Sequence, residues 1–193
     1  MRFSLNLRFW LWFGLLAVSI TINVLEARYI GTLLDTSDLG HAQGGLSVGV
    51  SVPPLEVHDS PGKVVTLKYG DSSKPTLIYV FRPSCVWCQR NSDVLNSFTD
   101  RVSDRYRVIG ISLSEEGLPD FVAAHGIGFP VYSSLSTSTI NAYRLGTTPE
   151  TIVISPRGTV LGSWNGAYTG GTKKAVEKFF GMSIPDLRLS GSS

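Results

Sequence analysis

The chain is poor in most of the groups that declare a chemistry. Its 193 residues include two cysteines, two methionines and three histidines. A structural zinc site needs four ligands, commonly two CxxC pairs or one pair with two spaced histidines. With one cysteine pair, and His41, His58 and His125 scattered, that arrangement is missing. Lysine and arginine number 17 against 15 acidic residues, a formal net charge of +2. No basic block could track phosphates, which argues against nucleic-acid binding. No internal repeat is visible, and low complexity is confined to the Ser/Gly-rich C-terminal end. The one long apolar run lies at the N-terminus. The 42% hydrophobic content suffices for a single domain with something apolar attached.

What is present is concentrated in Cys85-Val86-Trp87-Cys88. The apolar run Thr76–Phe81 before it reads as a buried strand, and Gln89 to about Val102 after it reads as a helix. A CxxC where a strand hands over to a helix points to a thiol–disulfide redox centre. The first cysteine then lies at a helix N-terminus, where unpaired N–H groups and the macrodipole favour a thiolate. The second is within reach to close the disulfide. A purely structural staple is a poor alternative, since closing so short a loop stabilises by only about 2 kcal/mol. Arg82 and Arg90 flank the motif and either favour the thiolate or are solvated surface residues. Trp87, between the cysteines, either offers an apolar contact to a protein substrate or folds back on its own domain.

Arg2 and Arg8 precede an uncharged run from Phe9 to Leu25, and Glu26 is the first acidic residue. As a helix these seventeen residues span about 25 Å, a little less than the ~30 Å hydrocarbon core. Phe3, Leu5 and Leu7 extend the span if Arg8 snorkels. Trp10 and Trp12 suit one interface and Tyr29 the other, and the leading arginines keep the N-terminus in the cytoplasm. Ala17-Val18-Ser19 offers a competing signal-peptide cleavage site. The run continues past it through Ile20, Ile22, Val24 and Leu25, which favours an uncleaved anchor. The expected organisation is therefore a cytoplasmic N-terminus over residues 1–8, a transmembrane anchor over 9–25 and a Gly-rich spacer over 26–52. A folded domain over 53–181 and a flexible tail over 182–193 follow. The expected location is a bacterial inner membrane, single-pass, with the redox domain on the periplasmic side, where disulfides persist.

Within the domain, Leu55–Asp59 and Val64–Lys68 read as a hairpin around Ser60-Pro61-Gly62-Lys63. Tyr106–Leu113 is a second continuous apolar strand, suited to a sheet covered on both faces. Ser114 is placed to cap a helix through His125, with Glu115 and Glu116 in its first turn. Phe129–Tyr132 reads as a short strand and Thr139–Leu145 as a short helix. Thr151–Ser155 and Thr159–Gly162 form a hairpin around Ser155-Pro156-Arg157-Gly158. Thr172–Phe180 reads as a closing helix with Val176, Phe179 and Phe180 turned inward. Strands alternating with helices imply an α/β sheet.

In this order the chain resembles the thioredoxin fold, and within it the membrane-tethered redoxins of the TlpA/ResA group. Four features carry the resemblance, over roughly Pro53 to Phe180: the hairpin before the first long strand, strand–CxxC–helix, Gly146-Thr147-Thr148-Pro149 ahead of an apolar strand, and the Pro-Arg-Gly turn in the final hairpin. The resemblance implies a thioredoxin fold with an N-terminal β-hairpin extension, preceded here by one transmembrane helix. It implies a cis Pro149 opposite the CxxC, with Thr148 presenting backbone to a substrate cysteine. The chain departs from the pattern at three positions. Ser84 stands where many relatives have Trp, Tyr79 where some thioredoxins have a buried Asp, and Asn91 where ResA-like relatives have Glu. Both usual carboxylate relays to the second cysteine are thus absent.

The resulting expectation is an exported thiol–disulfide oxidoreductase in which Cys85 attacks and Cys88 resolves, with reduction of partner disulfides as the favoured direction. Thr148, Pro149 and Trp87 are its expected substrate-binding residues. No cofactor or metal is expected beyond the Cys85–Cys88 redox pair itself. The expected partners are envelope proteins with cysteines, a membrane electron donor or acceptor, and the membrane through the N-terminal helix. Two other classes compete: a Cu(I) metallochaperone using both sulfurs, which lacks a nearby Met or His, and a redox-silent partner-binding module. A thiol peroxidase is disfavoured because Cys85 lacks the Pro-x-x-x-Thr-x-x-Cys arrangement.

Overall fold

The computed structural model describes residues 10, 12, 14–26, 28, 45–59 and 63–187. The chain divides into two units, Met1–Leu39 and Gly40–Ser193. In the first, residues 14–26 are helical. Thr21 and Asn23 bond back to the carbonyls of Ala17 and Ser19, at 2.7 and 2.9 Å, so these polar side chains are satisfied within the helix. The expected anchor Phe9–Leu25 lies partly outside the described residues. Among those described, no helix is long and apolar enough to cross a membrane.

In the second unit, two strands, β1 (Leu55–Asp59) and β2 (Lys63–Leu67), form an antiparallel pair of their own. The main sheet has the order β5-β4-β3-β6-β7. Its strands are β3 (Thr76–Phe81), β4 (Arg107–Ser112), β5 (Val131–Tyr132), β6 (Glu150–Ile154) and β7 (Val160–Asn165). β3 pairs parallel with β4 and antiparallel with β6, so it lies at the centre of a mixed sheet. The helices are α1 (Val86–Val102), α2 (Leu118–Ala124), α3 (Thr137–Ala142) and α4 (Gly170–Phe180). This is the thioredoxin-like α/β fold.

Every residue of β3 is buried, which explains why it reads as an unbroken apolar run. The strand period of two divides it between two cores. Leu77, Tyr79 and Phe81 face α1 and α4, packing with Cys88, Leu95, Phe98, Val176 and Phe180. Ile78 and Val80 face the other side, with Leu55, Val57, Tyr143, Ile152 and Ile154. On α1 the buried set Cys88, Asn91, Leu95, Phe98 and Val102 recurs at three- and four-residue spacing, which pins that helix face to the sheet.

Several expected boundaries move, each for a local reason. α1 begins at Val86 rather than Gln89, because Cys85 itself caps it. α2 begins at Leu118, not after Ser114. Gly117 enters with φ 69° and Pro119 occupies the first turn, and Pro is pre-organised for that place. Glu115 lies outside the helix and accepts hydrogen bonds from the hydroxyls of Ser133 and Ser134. On α4, Val176 and Phe180 are buried, but Phe179 is 37% exposed and packs edge-on against Trp164 instead.

The expected spacer and tail also contain packed chain. Leu46 and Val52 are buried. Gly49 N–H donates to Val160 O and Val160 N–H to Val50 O, both at 2.9 Å. Val52 N–H donates to Gly158 O at 2.9 Å, and Gly158 adopts φ 79° with the Val52 carbonyl 3.1 Å from where a Cβ would stand. At the other end Ile184 is 1% exposed, and its N–H donates to Glu177 Oε1 at 2.8 Å. Ile184→Ala should therefore cost about 2–4 kcal/mol in chemical denaturation; a cost near zero would mean that residues 182–187 contribute no core.

Candidate active site

The site is built where β3 delivers the chain to α1. Cys85 is the N-cap of α1, with φ −79° and ψ 110°. Its Sγ accepts the Cys88 N–H at 3.2 Å, so Val86-Trp87-Cys88 is the helix's first turn. N–H groups and the positive end of the helix dipole therefore face the Cys85 sulfur. Cys85 is half-buried and Cys88 fully buried, and both are free thiols. The two sulfurs thus differ in access: one can meet a partner, and the other waits behind it.

Across the motif the Thr148–Pro149 peptide bond is cis, as the resemblance implies. The Cys85 thiol faces the Thr148 carbonyl, with Sγ and O 3.6 Å apart. Burial pushes the Cys88 thiol up to about 12, because an ion there would be desolvated. The hydrogen bond to Cys85 adds to the rise, whereas the Arg82 backbone and the Thr148 hydroxyl oppose it. Cys88 is therefore a thiol at neutral pH.

Trp87 is 47% exposed, so it does not fold back into its own core. The Arg90 guanidinium lies 5.3 Å from its ring centroid, a cation–π contact on one face. Arg82 points elsewhere, its Nη1 donating to Gly146 O at 3.2 Å. Trp87, Thr148 and Pro149 line one groove of about 230 Å³, together with Gly166, Ala167, Thr169 and Thr172. The five expected site residues, Cys85, Cys88, Trp87, Thr148 and Pro149, are thus brought to one end of the sheet.

The sequence reading missed Glu150. It follows Pro149 directly, is 1% exposed, and lies on the sheet face opposite Cys88 with Ile152 and Ile154. Ser163 Oγ donates to its Oε1 at 3.0 Å. Burial raises its carboxyl from 4.5 to about 7, with the Ser163 bond acting the other way. The available signal was an acid at the mouth of an apolar strand, where a charge has no place unless partnered.

A sequence model of the AhpC/TSA family matches residues 48–163. A Haemophilus influenzae protein described as a thioredoxin-like protein is 22% identical over 104 residues, covering 52% of this chain and 60% of that relative. The aligned region thus spans less than two thirds of that relative's length. Among solved structures, the thioredoxin domain of a thiol-disulfide oxidoreductase from Bacteroides vulgatus aligns with TM-score 0.57 at 20% identity, covering 69% of this chain and 98% of that one. A thiol:disulfide interchange protein from a Bacteroides species aligns at 0.55 and 20%, covering 69% and 90%. The peroxidoxin BcpB of Mycobacterium tuberculosis aligns at 0.56 and 16%, covering 69% and 96%. At such identities the structures report a shared fold alone.

Proposed function

The chain belongs to the AhpC/TSA family, and from that premise we propose that it is an exported, membrane-tethered thiol–disulfide oxidoreductase acting on protein cysteines. The observation that carries the proposal is the asymmetric pair: an accessible Cys85 capping α1 beside the Thr148 carbonyl, and a buried Cys88 one turn behind it. In the favoured direction the Cys85 thiolate attacks one sulfur of a partner disulfide and expels the other as a thiolate, which takes up a proton. Cys88 then attacks Cys85 Sγ, closes the Cys85–Cys88 disulfide and releases the second partner sulfur, which leaves with the proton that Cys88 sheds. Two electrons pass from the pair to the partner, and a membrane electron donor resets it. Trp87 and the groove beside Thr148 and Pro149 receive the partner's chain.

Export and tethering rest on the sequence. Arg2 and Arg8 precede the uncharged run 9–25, and the apolar side chains of Leu15, Val18, Ile20, Ile22 and Val24 are all exposed. The experiment is trapping in the cell envelope. Cys88→Ser should accumulate mixed disulfides through Cys85, and the Cys85→Ser chain should accumulate none. Failure of Cys88→Ser to hold any partner would overturn the proposal.

A further inference from the structure

The stretch that brings Thr148 to Cys85 is pinned at both ends and sparsely held between them. Before it, Leu145 is buried and its N–H donates to Ile140 O at 2.9 Å. After it, Pro149 O accepts the Gly166 N–H at 2.7 Å. Among the described residues no backbone–backbone hydrogen bond reaches Gly146, Thr147 or Thr148. Gly146 and Thr147 are exposed, and chain of this kind opens locally at small cost unless side chains tie it down. Arg82 supplies such a tie. Its Nη1 donates to the Gly146 carbonyl at 3.2 Å, a charge-assisted bond from a half-buried side chain. Arg82 follows β3 directly, and its own carbonyl accepts the Cys85 N–H at 3.1 Å. One residue therefore touches both walls of the site, the cysteine wall through its backbone and the Thr148 wall through its guanidinium. No carboxylate among the described residues pairs with Arg82 in competition with that carbonyl.

We propose that Arg82 is a positioning residue, whose bond to the Gly146 carbonyl fixes the stretch Gly146–Thr148 in the place where a partner's backbone is received. The proposal rests on the exchange reading and deepens it. The other contact across the site, from the Cys85 thiol to Thr148 O at 3.6 Å, needs the thiol proton. That proton is gone once Cys85 ionises or enters a mixed disulfide. The Arg82 bond depends on neither cysteine, so it holds the two walls together through every step of exchange. Its contribution is pre-organisation. A partner docking on a stretch already in place does not have to order it, whereas on a loosened stretch that cost falls on binding.

Two disulfides separate this role from a direct effect on the nucleophile. The disulfide dimer of an end-blocked Ala-Cys-Ala peptide has backbone to lay against Thr148, and hydroxyethyl disulfide has none. The reduced full chain is mixed with each, acid-quenched, and its loss of thiols followed by mass. Arg82→Met should slow attack on the peptide disulfide about tenfold, the cost of ordering roughly one residue of backbone. Attack on hydroxyethyl disulfide should change less than about twofold, with the pH midpoint of Cys85 reactivity unmoved. Arg82→Lys, which keeps a donor for the single carbonyl, should recover most of the peptide rate. Equal slowing with both disulfides and a raised pH midpoint would make Arg82 a charge acting on Cys85. That result, or unchanged rates with both, would overturn the assignment while leaving exchange intact. A wild-type chain that exchanges with neither disulfide would overturn the exchange reading and the assignment with it. Should Arg82→Met not fold, the wild-type chain labelled at the arginine side-chain nitrogens supplies the readout. The Arg82 Nη resonances should be split by slowed rotation of the guanidinium, and a freely rotating, averaged signal would contradict the bond.

Discussion

Cys85→Ser should eliminate disulfide exchange and leave the fold intact. The thiolate is the nucleophile in this chemistry, and a serine hydroxyl does not ionise near neutral pH. Exchange with a disulfide substrate should therefore fall by more than about a thousandfold, to the uncatalysed background. Stability should barely change, because the position is an N-cap and serine is among the preferred N-cap residues. The pairing of lost activity with retained stability is what identifies Cys85 as chemistry and not scaffold. A Cys85→Ser chain that still turned over a disulfide substrate would assign the nucleophile elsewhere.

The second large effect concerns Glu150. Its carboxyl, ordinarily near 4.5, is lifted to about 7 by burial. The folded state then holds a proton that the unfolded chain has already released. Stability from this group is full below about pH 4.5, falls as pH rises toward 7 and is flat above, a loss of about 3 kcal/mol in all. Glu150→Gln keeps an oxygen to accept the Ser163 bond and removes the ionisation. The variant should be more stable than wild type at pH 8, by about 1–3 kcal/mol, and its advantage should vanish at pH 4.5. Denaturant titrations at the two pH values decide it. Parallel pH dependences in the two proteins would show that Glu150 is not the group responsible.

How much of this was legible depended on whether a residue's partners were close in sequence. β3 is readable because both its faces are covered, so its apolar run is continuous and its ends match the expected Thr76 and Phe81. The CxxC is readable because the local hand-over from strand to helix gives it meaning. Thr148 and Pro149 come to face Cys85 across 63 positions of chain, and only the family resemblance anticipated that meeting. Residues 45–52 read as spacer because glycine and small residues carry no period. Their backbone hydrogen bonds to Val160 and Gly158 are made by atoms that every residue has. Glu150 was missed for a related reason: its partner Ser163 lies across the hairpin, and neither residue type marks a site by itself. Tyr79 and Asn91 were visible as departures, but their bond to each other required the fold.

The most direct measurement is an equilibrium redox titration of the reduced chain against glutathione, reading Cys85 and Cys88 by thiol alkylation and mass. One reversible two-electron transition is expected, in which both cysteines oxidise together, with a potential nearer thioredoxin's ~−270 mV than the ~−120 mV of a strong oxidant. Two cysteines that oxidise independently, or form no Cys85–Cys88 disulfide at any potential, would contradict it.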